Sequence, residues 1–154
     1  MKYLDIHTHK ERENLRSGQV LSLDIRNTTE VGVQTEGAFS LGIHPWYIGE
    51  LVLEEAYLII EEFIMMPNCV SLGELGIDRS IQTSIDQQIE VFRMQVQIAK
   101  NYKVNSLTLH CVRAYPEIIS IIKKLDYKGS LIFHDYNGHP SQGYAAFFFS
   151  RTSL

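Results

Sequence analysis

Two histidines near the start of the chain, His7 and His9, have the type and spacing to bind a metal ion. They follow an apolar segment, residues 3–6, whose pattern is typical of a short buried strand. Side chains two residues apart in a strand point to the same side. Both imidazoles would therefore face one cation, and imidazole suits zinc, iron, nickel or copper. Two unrelated polar residues at a strand exit would give the same local pattern, so the pair alone leaves both interpretations open.

Three further polar side chains, Glu74, His110 and His134, also follow predicted strands. In parallel α/β sheets and barrels, the carboxyl ends of the strands meet at one edge, where active sites are built. Each residue alone has a simpler interpretation: the histidines as hydrogen-bonded polar residues, and Glu74 as a turn carboxylate. Their convergence with His9, and with His44 after another strand, favours a site for one or two divalent cations with positions left for water.

The elements that must position these residues alternate between strands and helices. Period-two and apolar segments predict strands at 3–6, 20–25, 38–43, 69–72, 106–110 and 130–134. Helical periodicity predicts helices at 53–65, 85–101 and 114–125, with one more beginning within 141–149 and a loop over 10–19. This alternation predicts an α/β fold with a parallel sheet.

The composition is that of an ordinary globular protein, with 154 residues, 45% hydrophobic content and a formal charge of −4. This length predicts a single domain over 1–154. The acidic balance argues against a broad nucleic-acid-binding surface but is compatible with a small phosphate site, where a bound metal would dominate the local field. No apolar segment is long enough to cross a bilayer. Cys69 and Cys111 fall in predicted strands as small hydrophobic residues, which favours a reduced, cytoplasmic location.

Five segments in order resemble the TatD-like metal-dependent hydrolases of the amidohydrolase superfamily, and residues 88–93 are similar to that family too. The five segments are Asp5-Ile-His-Thr-His9, Leu41-Gly-Ile-His-Pro45, Leu72-Gly-Glu-Leu-Gly-Ile-Asp78, Leu109-His-Cys-Val-Arg113 and Phe133-His-Asp-Tyr-Asn-Gly138. The resemblance implies a TIM-type (β/α) barrel. It also implies a divalent metal pair, of zinc, magnesium or manganese, that activates water against a phosphodiester, typically in DNA or another nucleic acid.

The resemblance also assigns roles to individual residues. It implies that His7 and His9 hold the first metal, that Glu74 bridges the two metals and is catalytic, and that His110 and His134 hold the second. It places His44 and Arg113 in contact with substrate or behind the ligands, and Asp5 and Asp78 as residues that orient ligands.

The chain departs from the family pattern in its length. A complete barrel needs eight strand–helix units and about 250 residues, so we expect an incomplete barrel of about five to six parallel strands with flanking helices. The family's late aspartate, which binds the first metal, has no counterpart, because no Asp or Glu follows Asp135. Exposed sheet edges would then allow self-association.

Three interpretations of this departure stay open. The chain is an active metal-dependent hydrolase, a non-catalytic remnant that keeps part of the metal site, or a barrel that a second chain completes. We expect a truncated form of the family domain, and the missing carboxylate is the feature that distinguishes the first two interpretations.

Overall fold

Parallel strands in chain order form one continuous sheet, and helices cover one of its faces. The computed structural model describes residues 18–28 and 37–134, together with the backbone of 4–8 and 147–150. The strands are β1 (Leu4–Thr8), β2 (Gly18–Asp24), β3 (Ala38–Gly42), β4 (Cys69–Asp78), β5 (Ser106–Val112), β6 (Ser130–His134) and β7 (Phe147–Ser150). The helices are α1 (Leu53–Ile64), α2 (Ile85–Asn101) and α3 (Tyr115–Lys124), and 3₁₀ turns cover Ile25–Asn27 and Pro45–Glu50.

The predicted parallel α/β architecture is confirmed. All six predicted strands are present, and each pairs in parallel with its neighbour in sequence order. Among the described residues, β1 and β7 are the two ends of the sheet and do not pair with each other, as in an incomplete barrel. The prediction of a helix within 141–149 is wrong for its last residues, because Phe147–Ser150 is a strand that pairs with β6. Three consecutive phenylalanines favour a strand through their aromatic β-propensity, whereas residues 141–146 lie outside the described residues.

Local sequence signals account for where α2 and α3 begin. Ser84 caps α2 by accepting a hydrogen bond from the backbone N–H of Gln87 at 3.3 Å, as the Ser-x-x-Gln spacing predicts. Pro116 lies in the first turn of α3, where its missing N–H is not needed. Within the described part of the chain, no helix is both long and apolar enough to cross a membrane.

The core lies between the sheet and the helices. Alternate strand residues such as Leu107 and Leu109 are fully buried in it, together with Phe92 of α2. The opposite face of the sheet carries a row of buried small hydroxyl side chains. In this row Ser40 is aligned with Ser71, and the Oγ of Ser71 lies 2.9 Å from the Oγ1 of Thr108. These two faces follow from the two-residue period of the strands.

The two cysteines are partly buried free thiols, Cys69 in β4 and Cys111 in β5. Burial raises the pKa of the Cys69 thiol to about 11, and burial also raises the pKa of Cys111. Since the thiolate is the reactive form, both groups behave as small hydrophobic residues at neutral pH.

A bulge in β4 reverses the face on which its side chains point. Leu72 pairs with Leu107 and Leu75 pairs with Leu109, so between these two pairs β4 advances by three residues and β5 by two. An extra residue shifts all later side chains to the other face. Leu72 and Leu75 are therefore both buried in the helix-covered core. Glu74, which would share Leu72's face in an unbroken strand, points to the opposite side.

Glycines permit the close approach of the strands beside this bulge. A Cβ built on Gly73 would lie 2.3 Å from the carbonyl oxygen of Thr108, and one built on Gly76 would lie 1.8 Å from that of His110. Both distances are far below van der Waals contact with backbone atoms that cannot rotate away. Glycine is thus required at positions 73 and 76 for the packing of β4 against β5.

We predict that Gly76→Ala destabilises the protein by about 1–3 kcal/mol or more, because β4 and β5 must separate to admit the methyl group. The matched control is Gly49→Ala, since a Cβ on Gly49 meets no atom within 4 Å. Urea unfolding measures both changes. Equal midpoints for the two variants would contradict the close approach.

Candidate metal centre

Three side chains from neighbouring strands meet on the polar side of the sheet: His44, Glu74 and His110. One potential ligand atom from each lies within 4.8 Å of the others. Glu74 Oε1 is 3.2 Å from His110 Nδ1 and 3.9 Å from His44 Nε2, and the glutamate is buried. Imidazole and carboxylate are the donor set of many divalent metal sites, so the group fits a metal ion by its chemistry.

The strands bring these side chains together through their register. His110 is aligned with Gly76, directly beside the bulge that turns Glu74 toward it. His44 follows β3, the neighbour of β4 on the other side. Glu74 and His110 lie inside β4 and β5 rather than at their ends. The prediction that a strand ends at residue 72, before Glu74, is therefore wrong, since β4 continues to Asp78.

A buried carboxylate, Asp78, fixes the orientation of the His110 ring. Its Oδ2 lies 2.9 Å from His110 Nε2 and accepts the indole N–H of Trp46 at 2.8 Å. Its Oδ1 accepts the backbone N–H of Ser80 at 2.8 Å. Burial alone would raise the pKa of the Asp78 carboxyl. The hydrogen bonds from Ser80, Trp46 and His110 more than offset this effect and hold the pKa well below its ordinary range.

Both ring nitrogens of His110 face a carboxylate: Nε2 lies 2.9 Å from Asp78 and Nδ1 lies 3.2 Å from Glu74. An ionised Asp78 accepts the Nε2 proton, which leaves the lone pair of a neutral imidazole on Nδ1, facing Glu74. A carboxylate behind the distal nitrogen is the usual support of a metal-binding histidine. Burial lowers the pKa of His110, but the hydrogen bonds to Glu74 and Asp78 outweigh it, so the pKa is raised overall. The surroundings favour positive charge at this point.

His44 has the opposite arrangement of its nitrogens. It caps the 3₁₀ turn Pro45–Glu50, and its Nδ1 accepts the backbone N–H of Trp46 at 3.2 Å. The lone pair is then on Nδ1, and a neutral ring carries its proton on Nε2, the atom that faces Glu74. His44 is consequently better suited to donate a hydrogen bond into the site than to coordinate a metal ion.

A cavity of about 470 Å³ opens over the cluster, within the size range of small-molecule sites. Besides His44, Glu74 and His110, its lining includes His134 from β6 and Trp46. Four residues that the sequence singled out thus share one cavity.

The other predicted site residues are placed as follows. Arg113 is exposed, follows β5 with a φ of 53°, and is not part of the described cavity lining. The backbone of His7 lies in β1, whereas its side chain and all of His9 lie outside the described residues. The metal-binding roles of His7 and His9 therefore stay predictions.

Two arginines close to the site, Arg26 and Arg79, are engaged by carboxylates. Arg26 binds Asp24 through Nε at 3.0 Å and Nη2 at 2.6 Å, and it binds Glu50 through Nη1 at 2.7 Å. Its guanidinium also lies 3.4 Å from the centre of the Tyr47 ring. Arg79 pairs with Glu117. These arginines hold the loops around the site together rather than offering charge to a ligand.

Sequence reasoning missed two glutamines of α2 that hold the backbone under the site. Gln95 accepts the N–H of Ile43 at 2.7 Å and donates to its carbonyl at 3.1 Å. Gln88 makes the same pair with Asp78, at 2.7 and 3.1 Å. Both are fully buried. The sequence feature that could have revealed them is the pair of amide side chains, seven residues apart, on the same apolar helix face as Phe92.

These amides fix the residues on which the site depends. Ile43 immediately precedes His44, and Asp78 is the carboxylate that orients His110. Each glutamine satisfies both polar backbone groups of one residue, which would otherwise be buried without partners. The helix α2 thereby positions two strand ends at once.

Comparison with known proteins agrees with this fold. The family model for TatD related DNase matches residues 5–150. The structure is similar to that of YJJV, a TatD homologue from Escherichia coli K12, with a TM-score of 0.73 and 16% identity, covering 91% of this chain and 62% of that one. It is also similar to a TatD family hydrolase from Entamoeba histolytica, with a TM-score of 0.66 and 17% identity over 92% and 60% of the two chains. No curated protein matches the sequence.

The fold and the cluster together define an incomplete (β/α)-barrel protein with a candidate divalent-metal site. The chain belongs to the TatD related DNase family, since the family model covers nearly all of it. It spans about three fifths of the length of the two solved structures.

We predict that Gln95→Ala destabilises the protein by about 2 kcal/mol or more, because it leaves two buried backbone groups of Ile43 without partners. The control on the same helix is Gln97→Ala, whose side chain bonds only to Asn101 among the contacts described, and we expect a change within about 0.5 kcal/mol. Urea unfolding measures both. A similar small effect of both substitutions would show that the Gln95 amide does not support β3.

We predict that Zn²⁺ or Mn²⁺ raises the melting temperature of the metal-stripped protein. A ligand at about 100 times its Kd adds about 2.7 kcal/mol to the free energy of unfolding. His110→Ala should weaken the metal affinity by at least about 10-fold, whereas His44→Ala should leave it nearly unchanged. Calorimetric titration measures the affinities. Equal losses in the two variants would show that His44 is a ligand as well.

Proposed function

We propose that the protein is a metal-dependent hydrolase that cleaves phosphodiesters, with DNA or another nucleic acid as substrate. The observation that carries this proposal is the pair of Glu74 and His110, whose facing oxygen and nitrogen lie 3.2 Å apart, with Asp78 behind the ring. Membership of a family described as TatD related DNase supports the same activity.

The residues that would hold the cation follow from the available atoms. His110 offers Nδ1 and Glu74 offers a carboxylate oxygen, and His134 lines the same cavity. The proposed first metal position adds His7 and His9. Metal analysis of the purified protein determines whether the site takes one ion or two and whether the ion is zinc, magnesium or manganese. A bound divalent cation supplies Lewis acidity and brings the pKa of bound water close to neutrality.

The chain's own residues perform the remaining tasks. Asp78 keeps the Nε2 proton of His110 in place, so that the lone pair points into the site. His44 directs its Nε2–H toward Glu74, where it would donate to a phosphoryl oxygen. Donors placed in advance at developing charge are a large component of catalysis. We propose Arg113, exposed three residues after His110, as a second contact with the phosphate.

The charges around the cavity explain why such a reaction would need a cation. The formal charge of the chain is −4, and Arg26 and Arg79 are already paired with carboxylates. A phosphodiester would therefore meet the negative charge of Glu74 and Asp78, and a cation, the His44 donor and Arg113 would have to compensate for it. The cytoplasmic location and self-association through sheet edges remain predictions.

We expect hydrolysis of bis(p-nitrophenyl) phosphate and of a short oligonucleotide when Mn²⁺, Mg²⁺ or Zn²⁺ is added. Glu74→Gln should lower kcat/KM by about 100-fold or more, because it removes an anionic ligand. His44→Gln should lower kcat while leaving metal affinity nearly unchanged. The control is Glu54→Gln, which changes an exposed carboxylate in the first turn of α1 and should leave the rate unaltered.

The result also decides between the first two interpretations that the sequence left open, an active hydrolase and a non-catalytic remnant. Metal binding without any metal-dependent turnover would contradict the proposed activity and support a non-catalytic, metal-binding remnant. Equal rates for the parent protein and Glu74→Gln would show that the activity arises elsewhere or from a contaminant.

A further inference from the structure

Trp46 is a large aromatic side chain that is half exposed at the cavity beside the candidate metal centre. Its relative exposure is 53%, and it lines the same cavity as Glu74 and His110. It is the single tryptophan of the chain. Three other large apolar side chains of the described residues are at least as exposed, and they belong to α1 and its two caps and do not line this cavity: Val52, Leu58 and Met65.

The indole is held in place although much of its surface is exposed. Its N–H donates to the buried Asp78 at 2.8 Å. The rings of His44 and His110 lie 5.2 and 6.0 Å away at angles of 85° and 76°. Because both contacts are nearly perpendicular, neither imidazole stacks on the indole. A fixed ring at a cavity, with neither neighbouring imidazole stacked on it, is suited to stacking with a planar ligand.

We propose that Trp46 is a stacking platform for one nucleobase of the substrate, next to the phosphate that is cleaved. This proposal rests on the proposed hydrolase function and adds to it a residue that contacts a base of the substrate. The ring centres of Trp46 and His110 lie 6.0 Å apart. In a nucleotide, the sugar spans a similar separation between the base and its phosphate. An aromatic platform beside a phosphate site is a common way to bind single strands.

Two properties of the substrate follow from the geometry. The indole N–H is already engaged by Asp78, so it has no donor left for the edge of a base, and stacking alone tolerates any base. The stacked base must also be unpaired, since a base inside a duplex is covered on both faces. Stacking at Trp46 therefore requires an unpaired base and does not depend on which base it is.

The test compares a thymidine dinucleotide with an abasic dinucleotide that has the same sugar–phosphate backbone. We expect the parent protein, with metal, to show a kcat/KM about 5- to 100-fold higher for the base-bearing substrate. Trp46→Ala should reduce this ratio to near one. Trp46→Phe, which loses the bond to Asp78 but keeps a ring, should retain most of it. The control Tyr102→Ala removes an exposed aromatic at the C-terminal end of α2 and should keep the full ratio.

The single tryptophan provides a readout that needs no turnover. In metal-stripped protein, the thymidine dinucleotide should quench the fluorescence of Trp46, and the abasic dinucleotide should not. Equal quenching by both, no quenching by either, or a kinetic ratio that Trp46→Ala leaves intact would overturn the proposal. A fall in rate for both substrates with an unchanged ratio would assign Trp46 to the support of Asp78 alone. Absence of hydrolysis together with selective quenching would instead contradict the proposed function and leave the platform standing.

Discussion

The buried carboxylate of Asp78 is the contact on which the rest of the site depends. It is almost fully buried, yet it stays ionised because the hydrogen bonds from His110, Trp46 and Ser80 replace its lost hydration. The same oxygen fixes a histidine nitrogen and an indole. A change at this position would therefore disturb both the candidate metal ligand and the proposed substrate contact, although Asp78 touches neither metal nor substrate.

The support continues outward from Asp78 into helix α2. Gln88 holds the backbone of Asp78, and Gln95, two turns further along the same face, holds the residue before His44. Strand ends of barrels leave backbone groups without ladder partners, and a buried amide that offers one donor and one acceptor satisfies both. The helix that covers the sheet thus also holds the backbone at Ile43 and Asp78, beside the residues that form the cluster.

Two histidines of the cluster illustrate how identical side chains acquire different chemistry. In a neutral His110, Nε2 donates its proton to Asp78, and the lone pair is on Nδ1. In His44, Nδ1 accepts the backbone N–H of Trp46, and the proton of a neutral ring is on Nε2. One ring consequently presents a lone pair and the other a proton. The distinction arises from local geometry, the cap of a 3₁₀ turn in one case and a carboxylate from a neighbouring strand in the other.

The sequence by itself determined the parallel α/β architecture and the start of α2 at Ser84, because periodicity and capping are local properties. It also singled out polar residues that meet in the cavity, although it placed Glu74 and His110 at strand ends rather than inside β4 and β5. Only the tertiary structure decided the rest. In the structure, the end of the last predicted helix is the strand β7. A bulge in β4 also turns Glu74 toward the site, whereas simple alternation would place this side chain on the other face of the sheet. The tertiary structure also joined Gln95 to Ile43 and His110 to Asp78, residues 52 and 32 positions apart. Such contacts depend on strand register and on the approach of a helix to a sheet, which no short stretch of sequence contains.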